Sequence, residues 1–226
     1  ADMTHNGPNQ VENWTTIATP DASTLYWPGQ VQVSGGKIYL SDYHNNRVLI
    51  YNQIPDFNNF TASVVIGQPD MFSNYRNQHP PDEAPWEPLD NTVHWPDGLY
   101  VCGSKLLIAD TFNNRTVIFD SIPSADNASA DLPIGQLSLF LDYYPNRHPA
   151  GINPGPNTQY EPRALSYYDG KLFIADRLNN RVLIFNQIPT STDASADTVI
   201  GQGDLWSNQT NRGMEIAQAD NLYNPT

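Results

Sequence analysis

Histidines, recurring Asp/Arg pairs and a lone cysteine are the side chains here with the most chemistry to offer. Two of the five histidines sit in matching settings, Asn77-Gln78-His79-Pro80 and Asn146-Arg147-His148-Pro149. Tyr75-Arg76 precedes the first, and Tyr144 and Arg147 accompany the second. His44, in the first Asn-Asn turn, and His94, just before Trp95-Pro96, are expected on the same face. Imidazole is the commonest metal-ligating side chain, so gathered histidines would make a transition-metal site and, with an open position, a hydrolytic or lyase centre. The spacing does not favour it: there is no His-x-His or Glu-x-x-His, and the third copy of the pattern, Asn211-Arg212-Gly213, lacks histidine. No metal and no cofactor are expected. His44, His79, His94, His148, Tyr75, Arg76, Tyr144 and Arg147 are instead candidate ligand-binding residues on loops.

Nucleophilic chemistry has no foothold either. There is no Gly-x-Ser-x-Gly turn, no glycine-rich phosphate loop and no Cys-x-x-Cys-His, so no catalytic residue is assigned. Cys102, the single cysteine, lies in an apolar run and reads as a buried, inert thiol. Three acid/base pairs, Asp42/Arg47, Asp110/Arg115 and Asp176/Arg181, bracket the hexapeptide Asp-x-x-Asn-Asn-Arg. Facing each other across a turn, they read as structural fasteners; exposed pairs of this kind contribute about 0–1 kcal/mol, so a modest effect on stability is expected.

What must position these residues is a repeated hairpin. Ile-Tyr-Leu-Ser before Asp42 and Val-Leu-Ile-Tyr after Arg47 are short runs of β-branched and aromatic residues, and the same holds around Asp110 and Asp176. Asn-Asn between them tolerates the left-handed backbone of a tight reversal. Because the runs are apolar at successive positions, the strands are expected to be covered on both faces.

Around each hairpin the same parts recur in order. A proline lead-in comes first (Trp27-Pro28, Trp95-Pro96, Glu161-Pro162), then a strand, then a turn ending in Lys37, Lys105 or Lys171, which are all the lysines of the chain. After the hairpin come Ile-Pro, a polar loop and a strand closing in Gly-Gln: Gly67-Gln68, Gly135-Gln136, Gly201-Gln202. The hairpin recurs after 68 residues, from Asp42 to Asp110, and after 66, from Asp110 to Asp176. Four short strands per unit, apolar on both faces, predict antiparallel sheets stacked as the blades of a β-propeller.

The pattern Pro…Gly-Lys-Leu-Phe-Ile-Ala-Asp…Asn-Asn-Arg-Val…Ile-Pro…Val-Ile-Gly-Gln resembles NHL-repeat β-propellers, in the long-period bacterial form, over residues 26–207. The resemblance implies an all-β fold of four-stranded antiparallel blades, usually six to a ring; three complete blades are legible here. The expected division is a tail with a lone strand (Asn13–Ile17) in 1–25, blade units at 26–94, 95–160 and 161–222, and the start of a fourth unit at 223–226. Some propeller enzymes resembling this family hold metal in the ring, so a metal-dependent lyase or lactonase is the alternative to a non-catalytic module. A third possibility is a structural subunit of an extracellular polymer. Three blades leave two sheet faces to be covered by further blades or by other copies of the chain.

A four-stranded blade puts the Asn-Asn turns and the long inter-blade segments on one face, which is the candidate ligand face. Its aromatics include Tyr75, Trp86, Tyr143 and Tyr144; the matched placement of Phe72, Phe140 and Trp206 points to loop packing on loop. A formal charge of -13 on 226 residues argues against nucleic acid and anionic membrane as partners, and there is no apolar stretch for membrane insertion. Protein or carbohydrate ligands stay open. An Ala-Asp start and an Asn/Thr/Tyr-rich, Lys-poor composition suit a secreted or periplasmic setting.

Overall fold

The structure, a computed structural model, describes residues 9, 18–80, 87–140 and 144–226. The strand expected at Asn13–Ile17 lies outside the described residues, as do Trp86 and Tyr143. Three four-stranded antiparallel sheets make up the fold, each with its strands in chain order. The first comprises β1 (Pro28–Ser34), β2 (Lys37–Asp42), β3 (Arg47–Tyr51) and β4 (Val64–Ile66). The second comprises β5 (Pro96–Cys102), β6 (Lys105–Asp110), β7 (Arg115–Phe119) and β8 (Leu132–Ile134), and the third β9 (Pro162–Tyr168), β10 (Lys171–Asp176), β11 (Arg181–Phe185) and β12 (Thr198–Ile200). The chain is all-β, and its sheets stack as propeller blades.

Local chemistry sets each reversal. The turn before each lysine uses residues with positive φ: Gly35 and Gly36, Gly103, and Asp169 with Gly170. The Asp-x-x-Asn-Asn-Arg hairpins each contain one 3₁₀ turn and close on an Asn in the left-handed region, Asn46 (φ 51), Asn114 (φ 53) and Asn180 (φ 53). Asp42 then pairs in register with Arg47, Asp110 with Arg115 and Asp176 with Arg181.

Stacking follows from strands that are apolar on both sides. Tyr39, Ile50 and Val64 of the first blade pack against Leu99, Ile108 and Val117 of the second. The opposite face of the second blade, with Leu107, Ile118 and Ile134, packs against Leu165, Ile174 and Leu183 of the third. Each such side chain removed from water stabilises by about 1.5–3 kcal/mol. The first strands of neighbouring blades approach closely: a Cβ on Gly98 would stand 2.1 Å from the Arg163 carbonyl oxygen, so only glycine lets β5 and β9 meet.

Among the described residues, two sheet faces have no blade against them. Val31 is 58% exposed, whereas its counterparts Leu99 and Leu165 are 0% and 5%. On the other outer face Ile200 is 48% exposed, against 1% for both Ile66 and Ile134. At these edge positions the apolar pattern is buried between blades and exposed at the ends of the stack, while Leu49 and Val65, on the same face as Val31, stay buried under Leu25, Phe60 and Met71. Cys102, at the end of β5, is half-buried rather than buried, because it closes the strand beside the exposed lysine turn.

Candidate functional site

The three Asp/Arg pairs are not surface fasteners. All six side chains are fully buried, with Arg Nε to Asp Oδ2 distances of 2.7, 2.7 and 2.8 Å. Asp42 also accepts from the Tyr26 backbone N–H at 2.7 Å and the Asn45 amide at 2.8 Å. Arg47 gives three more N–H groups to the carbonyls of Met71, Asp21 and Thr24. The other blades repeat this: Arg115 reaches Leu139, Leu89 and Thr92, and Arg181 reaches Leu205, Gly155 and Thr158. Burial is the largest influence on the three carboxyls and raises their pKa, opposed by the guanidinium, a backbone N–H and an asparagine amide. Every polar contact of these pairs is made within the protein, and the exposed-pair magnitude expected from sequence does not apply.

The neighbouring asparagines organise the loop face. Asn113 and Asn77 exchange side-chain hydrogen bonds of 2.8 and 2.9 Å, both buried, and Asn179 pairs with Asn146 in the same way. Asn45 pairs likewise with Asn9. The recurring element in Asn77-Gln78-His79 and Asn146-Arg147-His148 is thus the asparagine that fixes the inter-blade connection to the next hairpin. The closing glutamine does related work: Gln68 donates to the Asn46 and Tyr75 carbonyls, as Gln136 does to those of Asn114 and Tyr144.

On this scaffold a group of rings surrounds Trp95. His44 stacks on Trp95 at 5.1 Å with planes 3° apart, and meets Tyr26 and Trp27 edge-on at 4.7 and 4.6 Å. Phe112 meets Trp95 at 4.4 Å, and His94 lies 5.5 Å from Trp95 and 5.3 Å from Phe112. Burial, assisted by the positive charge of Arg76, lowers the His94 pKa from 6.5 to about 4, so this imidazole is neutral near pH 7. Burial lowers that of His44 as well.

Two clefts flank Trp95. One, of about 360 Å³, is lined by Tyr75, Arg76, His79, His94 and Phe112 together with asparagines 46 and 74. The other, of about 520 Å³, is lined by Trp27, Tyr43, His44, Asp97 and Arg163. Its polar element is the Arg163–Asp97 ion pair at 2.8 Å, with the guanidinium carbon 5.6 Å from the centre of the Tyr43 ring. Flat aromatic walls and one oriented ion pair suit the binding of a partly apolar, hydrogen-bonding ligand.

The structure brings together five of the sequence candidates, His44, His79, His94, Tyr75 and Arg76. Tyr144, Arg147 and His148 lie apart from them: Arg147 pairs with Asp193 at 2.7 Å, and His148 Nδ1 accepts from the Ala150 N–H. Sequence reading missed Trp27, Tyr43, Trp95, Asp97, Phe112 and Arg163. The Trp-Pro lead-ins were the available signal, since bulky aromatics at a proline-led turn are not required by it. Of Phe72, Phe140 and Trp206, expected to pack loop on loop, Trp206 lies against Gly155 of the connection before β9, yet the three are 64%, 46% and 68% exposed, because the residue before each one takes the inward place. Among the described residues no group of three or more His, Cys, Asp or Glu is placed to hold a metal ion.

No protein-family model matches the sequence. No curated protein matches it. Among solved structures, one described as a streptogramin B lyase structure is similar at 12% identity and a TM-score of 0.34, over 87% of this chain and 58% of that one. The chain thus spans less than two thirds of that protein.

Proposed function

We propose that the chain is part of an NHL-type propeller, six-bladed when its ring is complete, and serves as a non-catalytic binding module. Its ligand, a peptide or a short oligosaccharide, lodges in the clefts beside Trp95. The observation that carries this reading is the convergence of Trp27, His44, Trp95 and Phe112 with the Arg163–Asp97 pair on the face built from Asn-Asn turns and connections. Half-buried rings with the exposed Trp27 at their edge, beside an ion pair, are favourable to cover. A secreted or periplasmic setting fits the acidic, lysine-poor composition. The two bare sheet faces favour further blades or other copies of the chain as partners, the arrangement that a subunit of an extracellular polymer would also use. The lyase or lactonase alternative has no comparable observation in its favour.

Titration of oligosaccharide and peptide panels, followed by tryptophan fluorescence, tests the reading. Binding should quench or shift the emission, and Trp95→Ala or Arg163→Ala should abolish the response while leaving the circular dichroism spectrum intact. A response that survives both substitutions would sink the assignment to these clefts.

A further inference from the structure

Each buried arginine holds a carbonyl immediately before an aromatic residue. Arg47 binds the Met71 carbonyl at 2.6 Å, Arg115 that of Leu139 at 2.6 Å and Arg181 that of Leu205 at 2.5 Å; the residues that follow are Phe72, Phe140 and Trp206. Met71, Leu139 and Leu205 pack inward on the cores, so the next side chain is thrown outward. The presenting turn is locked a second time. Asp70 Oδ1 accepts from the Phe72 N–H, the Ser73 N–H and the Ser73 hydroxyl, each at 2.9 Å. Asp204 Oδ1 does the same for Trp206 and Ser207, and the Ser138 hydroxyl accepts from the Phe140 N–H at 3.0 Å.

The inward anchor is the neighbouring residue, so closing the loop does not depend on an aromatic at this place, although the Trp206 ring also lies against Gly155. Three blades carry one there nonetheless; Phe72 and Trp206 are mostly exposed and Phe140 about half so. A rigidly mounted aromatic with two rotatable bonds loses little entropy on binding, which is the property of a contact residue.

We propose that this series of rings, one per blade along the outer rim of the loop face, binds a neutral polysaccharide. A sugar ring offers C–H groups on its face and hydroxyls at its edge. The positively polarised C–H groups meet the negative face of an aromatic ring, while the hydroxyls stay in water. A polymer repeats that face as the blades repeat the ring, so weak contacts add through linkage. Charge selects against acidic partners: Asp70 and Asp204 stand beside two of the rings, and the chain carries a net -13, which repels acidic polysaccharides and anionic lipid. The rings follow β4, β8 and β12 in the chain, and none of the three lines either Trp95 cleft.

Native affinity electrophoresis of the full chain in gels containing mixed-linkage β-glucan, xylan or galactomannan tests this, with polygalacturonate as the acidic control and phosphatidylcholine vesicles as the lipid control. At least one neutral polymer should retard the protein and polygalacturonate should not. Phe72→Ala, Phe140→Ala and Trp206→Ala should each weaken retention by about 2- to 12-fold, the range measured for aromatic pairing, and the triple variant should lose it. Since the rings are exposed, melting of the variants should stay within about 2 °C of the parent. The inference is overturned if no neutral polymer retards the chain, if the triple variant is retained unchanged, or if polygalacturonate or vesicles bind equally well. Tyr168→Ala, a ring 77% exposed beside the third lysine turn, should leave retention in place; retention lost in Trp95→Ala but kept in the triple variant would assign the sugar to the clefts and remove it from the rim.

Discussion

Replacing Asp110 by alanine should be among the most damaging single changes in this protein. The carboxylate is wholly buried and receives three hydrogen bonds: from Arg115 Nε at 2.7 Å, the His94 N–H at 2.8 Å and the Asn113 amide at 2.8 Å. Its removal strands a buried guanidinium and two further donors. The guanidinium cannot shed its proton, and it cannot swing to solvent because its other N–H groups are tied to Leu139, Leu89 and Thr92. Breaking one partner of a buried ion pair costs about 3–5 kcal/mol, several times an exposed pair. For a chain of 150–250 residues each kcal/mol moves the melting temperature by about 2–4 °C, so a fall of roughly 6–20 °C is expected. Circular dichroism melts of Asp110→Ala, Asp42→Ala and Asp176→Ala at pH 7 measure it. The double variant Asp110→Ala/Arg115→Met, which removes both charges, should recover part of the loss. A fall below about 3 °C for Asp110→Ala, or no recovery in the double variant, would refute the view that these pairs are buried clamps.

Protonation of His94 should weaken the fold in acid. Its folded pKa of about 4 lies below the ordinary 6.5, so the unfolded chain binds the extra proton first; the stabilisation is fully present above pH 6.5 and is lost as pH falls toward 4. The difference in unfolding free energy between parent and His94→Phe should therefore shrink by up to about 3 kcal/mol across that window, and a pH-independent difference would count against it. The bare outer faces should drive association: light scattering of the 226-residue chain should show species larger than 25.2 kDa, and a stable, monodisperse monomer would show that these faces tolerate water.

The blades were legible because their information is local. Alternation of apolar strands with Gly, Asn and Pro at the reversals determines hairpins without reference to anything distant, and Asn46, Asn114 and Asn180 take the left-handed backbone that their type permits. Long-range facts were not legible. Nothing in Asp-x-x-Asn-Asn-Arg says that the acid and base are sealed under loops 20 or more residues away, as the contacts from Arg47 to Asp21, Thr24 and Met71 show. Histidine drew attention in the connections because it carries chemistry, yet Asn77 and Asn146 do the structural work there, and their persistence as Asn211 in the unit without histidine was the clue. The Trp95 clefts escaped because they join residues from three blades, Trp27, Trp95 and Arg163, whose proximity depends on stacking rather than on sequence spacing.

The left-handed asparagine that ends each hairpin has one more effect. Asn46 Oδ1 accepts the Trp95 N–H at 3.0 Å, Asn114 that of Glu161 at 2.9 Å and Asn180 that of Asn224 at 3.0 Å, and each recipient has a positive φ. The first two blades thus hold the first residue of the next, and the third holds Asn224, in a backbone shape that residue would not choose alone. Order should spread along the chain in one direction, a formed hairpin templating the strand that follows, in the manner of a one-dimensional array with nearest-neighbour coupling. For anyone shuffling blades between such proteins, the transferable module runs past the sheet to the lead-in of the next, and a join made ahead of Trp95 or Glu161 would part the template from what it shapes.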